Sequence, residues 1–129
     1  AGTARMAAER ATAQDVALLR TRIAEQRSAL PVDDDFLARD MAFHREIARL
    51  SGNPIYPAIV EAIFHWASAY YQPMVRAPGV ESLTLEEHTR LVDAIAANDA
   101  DAAEEAVRAH LSRSNERYRS LQPGPASTR

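Results

Sequence analysis

Apolar residues recur along this chain with the 3.6-residue period of amphipathic helices rather than the two-residue period of strands. Alanine, leucine, glutamate and arginine dominate, and glycine occurs only four times, which favours helix almost throughout. The pattern predicts six helices, over residues 3–11, 12–28, 33–50, 54–71, 81–97 and 100–121. Because the connections are short, these helices should form an antiparallel all-α bundle. Residues 122–129 should form a disordered tail.

Several helix boundaries carry recognisable capping residues. Thr12 followed by Asp15 is a capping-box pattern and predicts the start of the second helix. Gly52 or Asn53 can take the left-handed conformation that ends the third helix. The Asn-Asp pair at 98–99 can cap the start of the last helix.

Four polar side chains interrupt the apolar stripes of three helices. Asp40 and His44 lie one turn apart in the third helix, while His88 and His110 lie in the fifth and sixth. Buried polar groups need partners, and an Asp/His set suits zinc, manganese, nickel or ferrous iron. The alternative is that each histidine is a hydrogen-bonded core residue. His65 lies about 110° from the centre of the apolar arc of its own helix, so we leave it out of this set.

Composition narrows the choice of function. A chain of 129 residues with 47% hydrophobic content is long enough for one domain. No apolar run is long enough to span a membrane, and no signal-peptide pattern opens the sequence, so we expect a cytoplasmic protein. The absence of cysteine excludes sulfur-ligated zinc and thiolate catalysis. A net charge of -3 argues against broad binding to a phosphate backbone by this segment. All 15 basic residues are arginines, which excludes lysine Schiff-base chemistry.

Short motifs surround the four polar residues at a characteristic spacing. They are Asp40-Met-Ala-Phe43-His44, Ser51-Gly52-Asn53-Pro54, Glu87-His88 ahead of Leu91-Val92-Asp93-Ala94-Ile95, and Ala109-His110-Leu111. Over residues 1–121 the chain resembles the FCD domain, the effector-binding domain of FadR-type transcriptional regulators in the GntR superfamily. The resemblance implies a helical bundle in which the aspartate and the three histidines hold a divalent metal. We expect zinc, with nickel or manganese as alternatives.

The same resemblance implies a small organic acid as effector, whose carboxylate completes the metal's coordination. The residues expected around it are Phe43, Ile63, Trp66, Tyr70 and Arg76. It also implies a homodimer that acts on DNA. Family members carry an N-terminal winged helix-turn-helix, and nothing in residues 1–27 resembles one. We therefore expect DNA binding only through a domain that is absent from this sequence.

Two other classes of function are compatible with the pattern. A small metal-dependent hydrolase or lyase would use a metal-bound water, with Glu86 or Glu87 as general base. Both glutamates adjoin His88 on the flank of its stripe, which is typical of a solvated helix face, and we therefore predict no enzyme. A purely structural dimerisation module would have neither a metal nor a small-molecule site.

Overall fold

The computed structural model describes residues 2–29, 34–70 and 80–121, and within these ranges it contains helices and no strand. The helices are α1 (Gly2–Arg10), α2 (Ala13–Ser28), α3 (Asp34–Arg49), α4 (Ile55–Tyr70), α5 (Val80–Ala96) and α6 (Ala100–Leu121). The predicted all-α class is confirmed, and each helix boundary lies within one residue of its predicted position. The predicted tail at 122–129 lies outside the described residues.

The predicted capping residues are found at the helix boundaries. The Thr12 hydroxyl accepts a hydrogen bond from the Asp15 amide at 3.2 Å. The Asp15 carboxylate accepts one from the Thr12 amide at 2.9 Å, which completes the capping box of α2. Of the two candidates after α3, Gly52 takes the left-handed conformation, with a φ of 77°. Asn98 is also left-handed after α5, and the Asp99 carboxylate accepts the amide three residues further on, in the first turn of α6.

Hydrogen bonds and ion pairs between neighbouring helices show that the neighbours are antiparallel. The pairs are Thr84 with Arg113 and Glu87 with His110 between α5 and α6, Gln26 with Asp40 and Asp15 with Arg49 between α2 and α3, and Gln26 with His88 and Arg20 with Asp93 between α2 and α5. In each set, the residue number rises on one helix as it falls on the other. The predicted antiparallel bundle is therefore confirmed for these helices.

The hydrophobic core lies between α1, α2, α3, α5 and α6. Ala4, Ala7 and Ala8 are fully buried, and their small side chains allow α1 to pack closely on α6. The larger core side chains are Leu19, Ile23, Phe43, Ile47, Leu50, Leu85, Leu91, Val92, Ile95 and Val107. Helix α4 packs against α3. Among the described residues, no helix is long and apolar enough to span a membrane.

Candidate metal centre

Three histidines from three helices converge inside the bundle. His44 on α3, His88 on α5 and His110 on α6 have ring centroids 5.0 to 5.5 Å apart. One ring nitrogen of each lies within 4.8 Å of the others. Asp40, one turn before His44, places its Oδ1 3.5 Å from His44 Nε2 and 3.4 Å from His88 Nε2. The structure thus brings together the four residues that the sequence analysis selected.

Gln26 on α2 connects Asp40 to His88 and fixes the position of a proton. Its amide nitrogen donates to Asp40 Oδ1 at 3.0 Å, and its amide oxygen lies 2.9 Å from His88 Nδ1. Because an ionised carboxylate only accepts hydrogen bonds, the amide oxygen must face the imidazole, and Nδ1 must carry the proton. Neutral His88 therefore has an unprotonated Nε2. That nitrogen is buried and has no hydrogen-bond partner among the described residues.

Glu87 orients the third histidine in the same way. Its carboxylate accepts a hydrogen bond from His110 Nδ1, and the Arg113 guanidinium donates to both of its oxygens. Burial alone would raise the pKa of Glu87, but the hydrogen bonds from Arg113 and His110 hold that pKa below its usual value. With the proton on Nδ1, the other ring nitrogen of His110 is left as an electron-pair donor.

The position of Glu87 corrects one expectation from the sequence. Glu86 is exposed, as a solvated helix face requires, but the Glu87 side chain is only 11% exposed. The prediction was wrong for Glu87 because its partners, His110 and Arg113, lie on α6. Helical periodicity within α5 alone carries no information about them.

The electrostatics of the cluster leave electron pairs facing one another. Burial lowers the pKa of both His88 and His110 below the usual imidazole value. Burial acts on Asp40 in the raising direction, but its interactions with the histidines, with His44 first, outweigh burial and hold the pKa of Asp40 below its usual range. An ionised carboxylate and an unprotonated imidazole nitrogen therefore lie 3.4 Å apart, which is unfavourable unless a cation lies between them. Three imidazoles and a carboxylate, with no sulfur, fit a divalent transition metal.

Two aromatic side chains border this cluster. Phe43 is fully buried and stacks on His88, with ring centroids 4.1 Å apart. Phe64 of α4 lies 5.6 Å from the His44 ring. The effector pocket predicted from the sequence includes Phe43 but not Phe64, because Ile63 and Trp66 are among the α4 residues expected to face the metal instead.

The other residues selected for the effector pocket are placed differently. Ile63 and Trp66 are 55% and 52% exposed, and Trp66 lies about 160° around the α4 axis from Phe64. The Tyr70 side chain and Arg76 lie outside the described residues, so their role stays a prediction. His65 is exposed, in agreement with its exclusion from the ligand set.

Comparison with known protein families identifies the family of this chain. The model of the FCD domain family matches residues 1–113. The chain belongs to the FCD domain family. This confirms the predicted resemblance to the effector-binding domains of FadR-type regulators in the GntR superfamily.

Curated relatives of the chain include three transcriptional repressors of the same name. It is 34% identical over 109 residues to the HTH-type transcriptional repressor NanR of Cronobacter sakazakii. The NanR proteins of Salmonella schwarzengrund and Escherichia coli K12 are 36% and 34% identical over 110 residues. Each match covers 83% of this chain and 41% or 42% of the relative. The FCD chain thus spans about two fifths of the length of these relatives.

Proposed function

We propose that this FCD chain is the ligand-sensing domain of a GntR-type transcriptional regulator, and that it responds to a small organic acid bound beside a divalent metal. The family match to residues 1–113 supports the regulatory role. The observation that supports a bound metal is the buried Nε2 of His88, which lacks a hydrogen-bond partner among the described residues. A core histidine that served only packing would have both ring nitrogens satisfied.

The metal ligands in this proposal are Asp40, His44, His88 and His110. Zinc is our first choice, with nickel and manganese as alternatives, since all three accept nitrogen and oxygen ligands. A bound divalent ion with one aspartate would retain about one positive charge and open coordination positions for an anion. Gln26 and Glu87 hold the protons of His88 and His110 on Nδ1, so the opposite nitrogens stay available as ligands.

The effector in this proposal is a small carboxylate, and a hydroxy or keto acid would chelate the metal best. Phe43 supplies an apolar wall next to His88. We retain Ile63, Trp66, Tyr70 and Arg76 as proposed pocket residues. Of these, Ile63 and Trp66 are exposed and would approach the ligand only if α4 turned from its present orientation.

The partners follow from the regulatory role. We propose a homodimer that binds DNA through an N-terminal domain outside this sequence. The relatives' name, HTH-type transcriptional repressor, supports the DNA-binding part of this proposal. Such a regulator would work in the cytoplasm. Residues 1–121 would form the metal- and effector-binding domain, with 122–129 as a tail.

An enzymatic role is less well supported. The Glu87 carboxylate already accepts hydrogen bonds from His110 and Arg113, so it cannot readily take a proton from a water. Glu86 is exposed. Neither glutamate is therefore well placed to act as a general base, which favours the sensor over the enzyme.

Elemental analysis of the protein, purified without an affinity tag, tests whether a metal is bound. We expect about one divalent ion per chain. Calorimetry of the metal-loaded protein against citrate, lactate and gluconate tests the effector class, and the metal-free protein is the control. Binding that survives metal removal unchanged would refute a metal-dependent effector site, and turnover of the acid would replace the sensor with an enzyme.

A further inference from the structure

Helix α4 turns its most apolar face toward solvent. At 100° per residue, one arc of about 140° along this helix carries no formal charge. Its large members with described side chains are Ile55, Ile59, Ile63 and Trp66, which are between 47% and 61% exposed, and its small members are the exposed Ala58, Ala62 and Ala69. We call this set the outer face of α4.

The opposite side of α4 packs on the bundle. Phe64 lies against His44, and the carboxylate of Glu61, the only acidic residue in the helix, lies 3.7 Å from Arg45 on α3. The packed side of α4 therefore carries the charge, and the outer face carries the large aliphatic residues. This is the reverse of what a surface helix of an isolated domain should show.

The size of the outer face is significant. Four large apolar side chains at about half exposure, with two alanines between them, offer roughly 400 Å², within the range of the largest apolar patch on a typical monomer, which is often functional. A stable interface uses about 800 Å² from each partner. The outer face is therefore large enough for the centre of an interface, and its flanks would supply the rim.

We propose that the occupant of this face is a second copy of the same chain, with α4 packed on α4 of the partner about a two-fold axis. Ile55, Ile59 and Ile63 are spaced four residues apart and form a ridge along the helix. Ala58 and Ala62 form the next row, and their small side chains leave a groove beside that ridge. The ridge of one copy fits the groove of the other, so the face is complementary to itself, as a two-fold interface requires.

The charge pattern supports the same occupant. A face without formal charge meets its own copy without repulsion between like charges. The assignment rests on the homodimer of the proposed function and not on its metal. In this dimer, α4 lies between the partner chain and the histidine cluster, because Phe64 contacts His44 from the other side of the helix.

Sedimentation velocity of the 129-residue chain and two matched variants tests this interface. Ile59→Glu places a charge at the centre of the outer face. Leu111→Glu places the same charge on α6 at a leucine of similar exposure, 52% against 47%. We expect a two-chain mass for the unchanged protein and for Leu111→Glu, and a one-chain mass for Ile59→Glu, with circular dichroism showing that both variants remain helical.

A crosslinking experiment decides the case if Ile59→Glu fails to fold. The chain has no cysteine, so a short bis-maleimide should link two chains through Ile59→Cys and not through Leu111→Cys. A one-chain mass for the unchanged protein would overturn both the interface and the homodimer, and would indicate that another segment or protein covers the face. A two-chain mass that neither glutamate variant changes, or equal crosslinking of both cysteine variants, would overturn the interface alone. Metal uptake by Ile59→Glu reports separately on the metal proposal.

Discussion

At the scale of single residues, the cluster is defined as much by the residues that hold the histidines as by the histidines themselves. Gln26 can satisfy Asp40 and His88 at once because its amide has a donor end and an acceptor end. Glu87 can only accept, which places the His110 proton on Nδ1. Each contact leaves a nitrogen without a proton pointing away from its partner. Partners of this kind typically change metal affinity 10- to 100-fold when removed.

Gln26→Ala should therefore weaken metal binding by about 10- to 100-fold. The substitution removes the group that fixes the His88 tautomer and leaves Asp40 without one of its donors. A competition titration with a chromophoric chelator measures the affinity. Gln14→Ala is the matched control, because it removes the same side chain from an exposed position on the same helix and should leave the affinity unchanged. An equal affinity for both variants would contradict the role assigned to Gln26.

The sequence indicated the four clustered residues but not their partners. Asp40, His44, His88 and His110 stand out because each interrupts an apolar stripe, which is visible within one helix. Glu87 adjoins its stripe and becomes buried only through contacts with another helix. A signal for Gln26 did exist, since it follows Leu19 and Ile23 at helical spacing on the buried side of α2.

At the scale of helices, the cap of α2 should make stability depend on pH. The backbone hydrogen bond from Thr12 is the main cause that lowers the pKa of Asp15. A lowered pKa in the folded state means that the stabilisation is complete above the unfolded value of about 3.9 and is lost as pH falls through the folded value. Asp15→Ala should cost about 1 kcal/mol at pH 7, and its difference from the unchanged protein should shrink below about pH 4.

Urea unfolding of the two proteins at pH 7, 4 and 3 measures this difference. Glu116→Ala, at an exposed acidic position on α6, controls for the loss of one negative charge and should differ little from the unchanged protein at each pH. A cost for Asp15→Ala that is the same at pH 7 and pH 3 would show that its carboxylate charge has no role in the cap.

The turn between α3 and α4 supports a second prediction at this scale. Gly52 has a φ of 77°, and a Cβ there would clash with the Arg10 guanidinium, which donates to the Ser51 carbonyl at 2.8 Å. Gly52→Ala should therefore lower the free energy of unfolding by about 1 to 2 kcal/mol. Gly2→Ala is the control, because nothing lies within 4 Å of its added methyl group. Thermal melts in which both variants lose the same stability would refute the argument.

Helix positions were predictable because caps and periodicity are local, but the orientation of α4 was not. Its apolar arc was identified from the sequence, and its members were placed beside the cluster. The structure instead turns Phe64 toward His44 and leaves Ile63 and Trp66 outside. A helix with apolar residues on more than one side can be rotated about its axis without an obvious penalty in its own pattern. Its orientation is then decided by packing against α3 and by whatever covers the outer face.

At the scale of the whole molecule, the proposed ligand set joins elements that are far apart in the sequence. His44, His88 and His110 come from α3, α5 and α6, and Gln26 adds α2 through its contact with His88. The unfolded chain has no such preformed site, so a metal bound by these four residues would favour the folded state. The metal should therefore act on the stability of the entire bundle, and not only on the residues that touch it.

Chelation should consequently lower the melting temperature of the metal-loaded protein. Free metal at 100 times its dissociation constant adds about 2.7 kcal/mol to the free energy of unfolding, which corresponds to several degrees for a domain of this size. The quantity to compare is the difference between melts with and without EDTA, because His88→Ala also removes a buried side chain and lowers the melting temperature by itself. His88→Ala should lose most of this difference, whereas His65→Ala, at an exposed histidine on α4, should keep it. If the two variants retain the same metal-dependent difference, the assignment of His88 as a ligand is wrong.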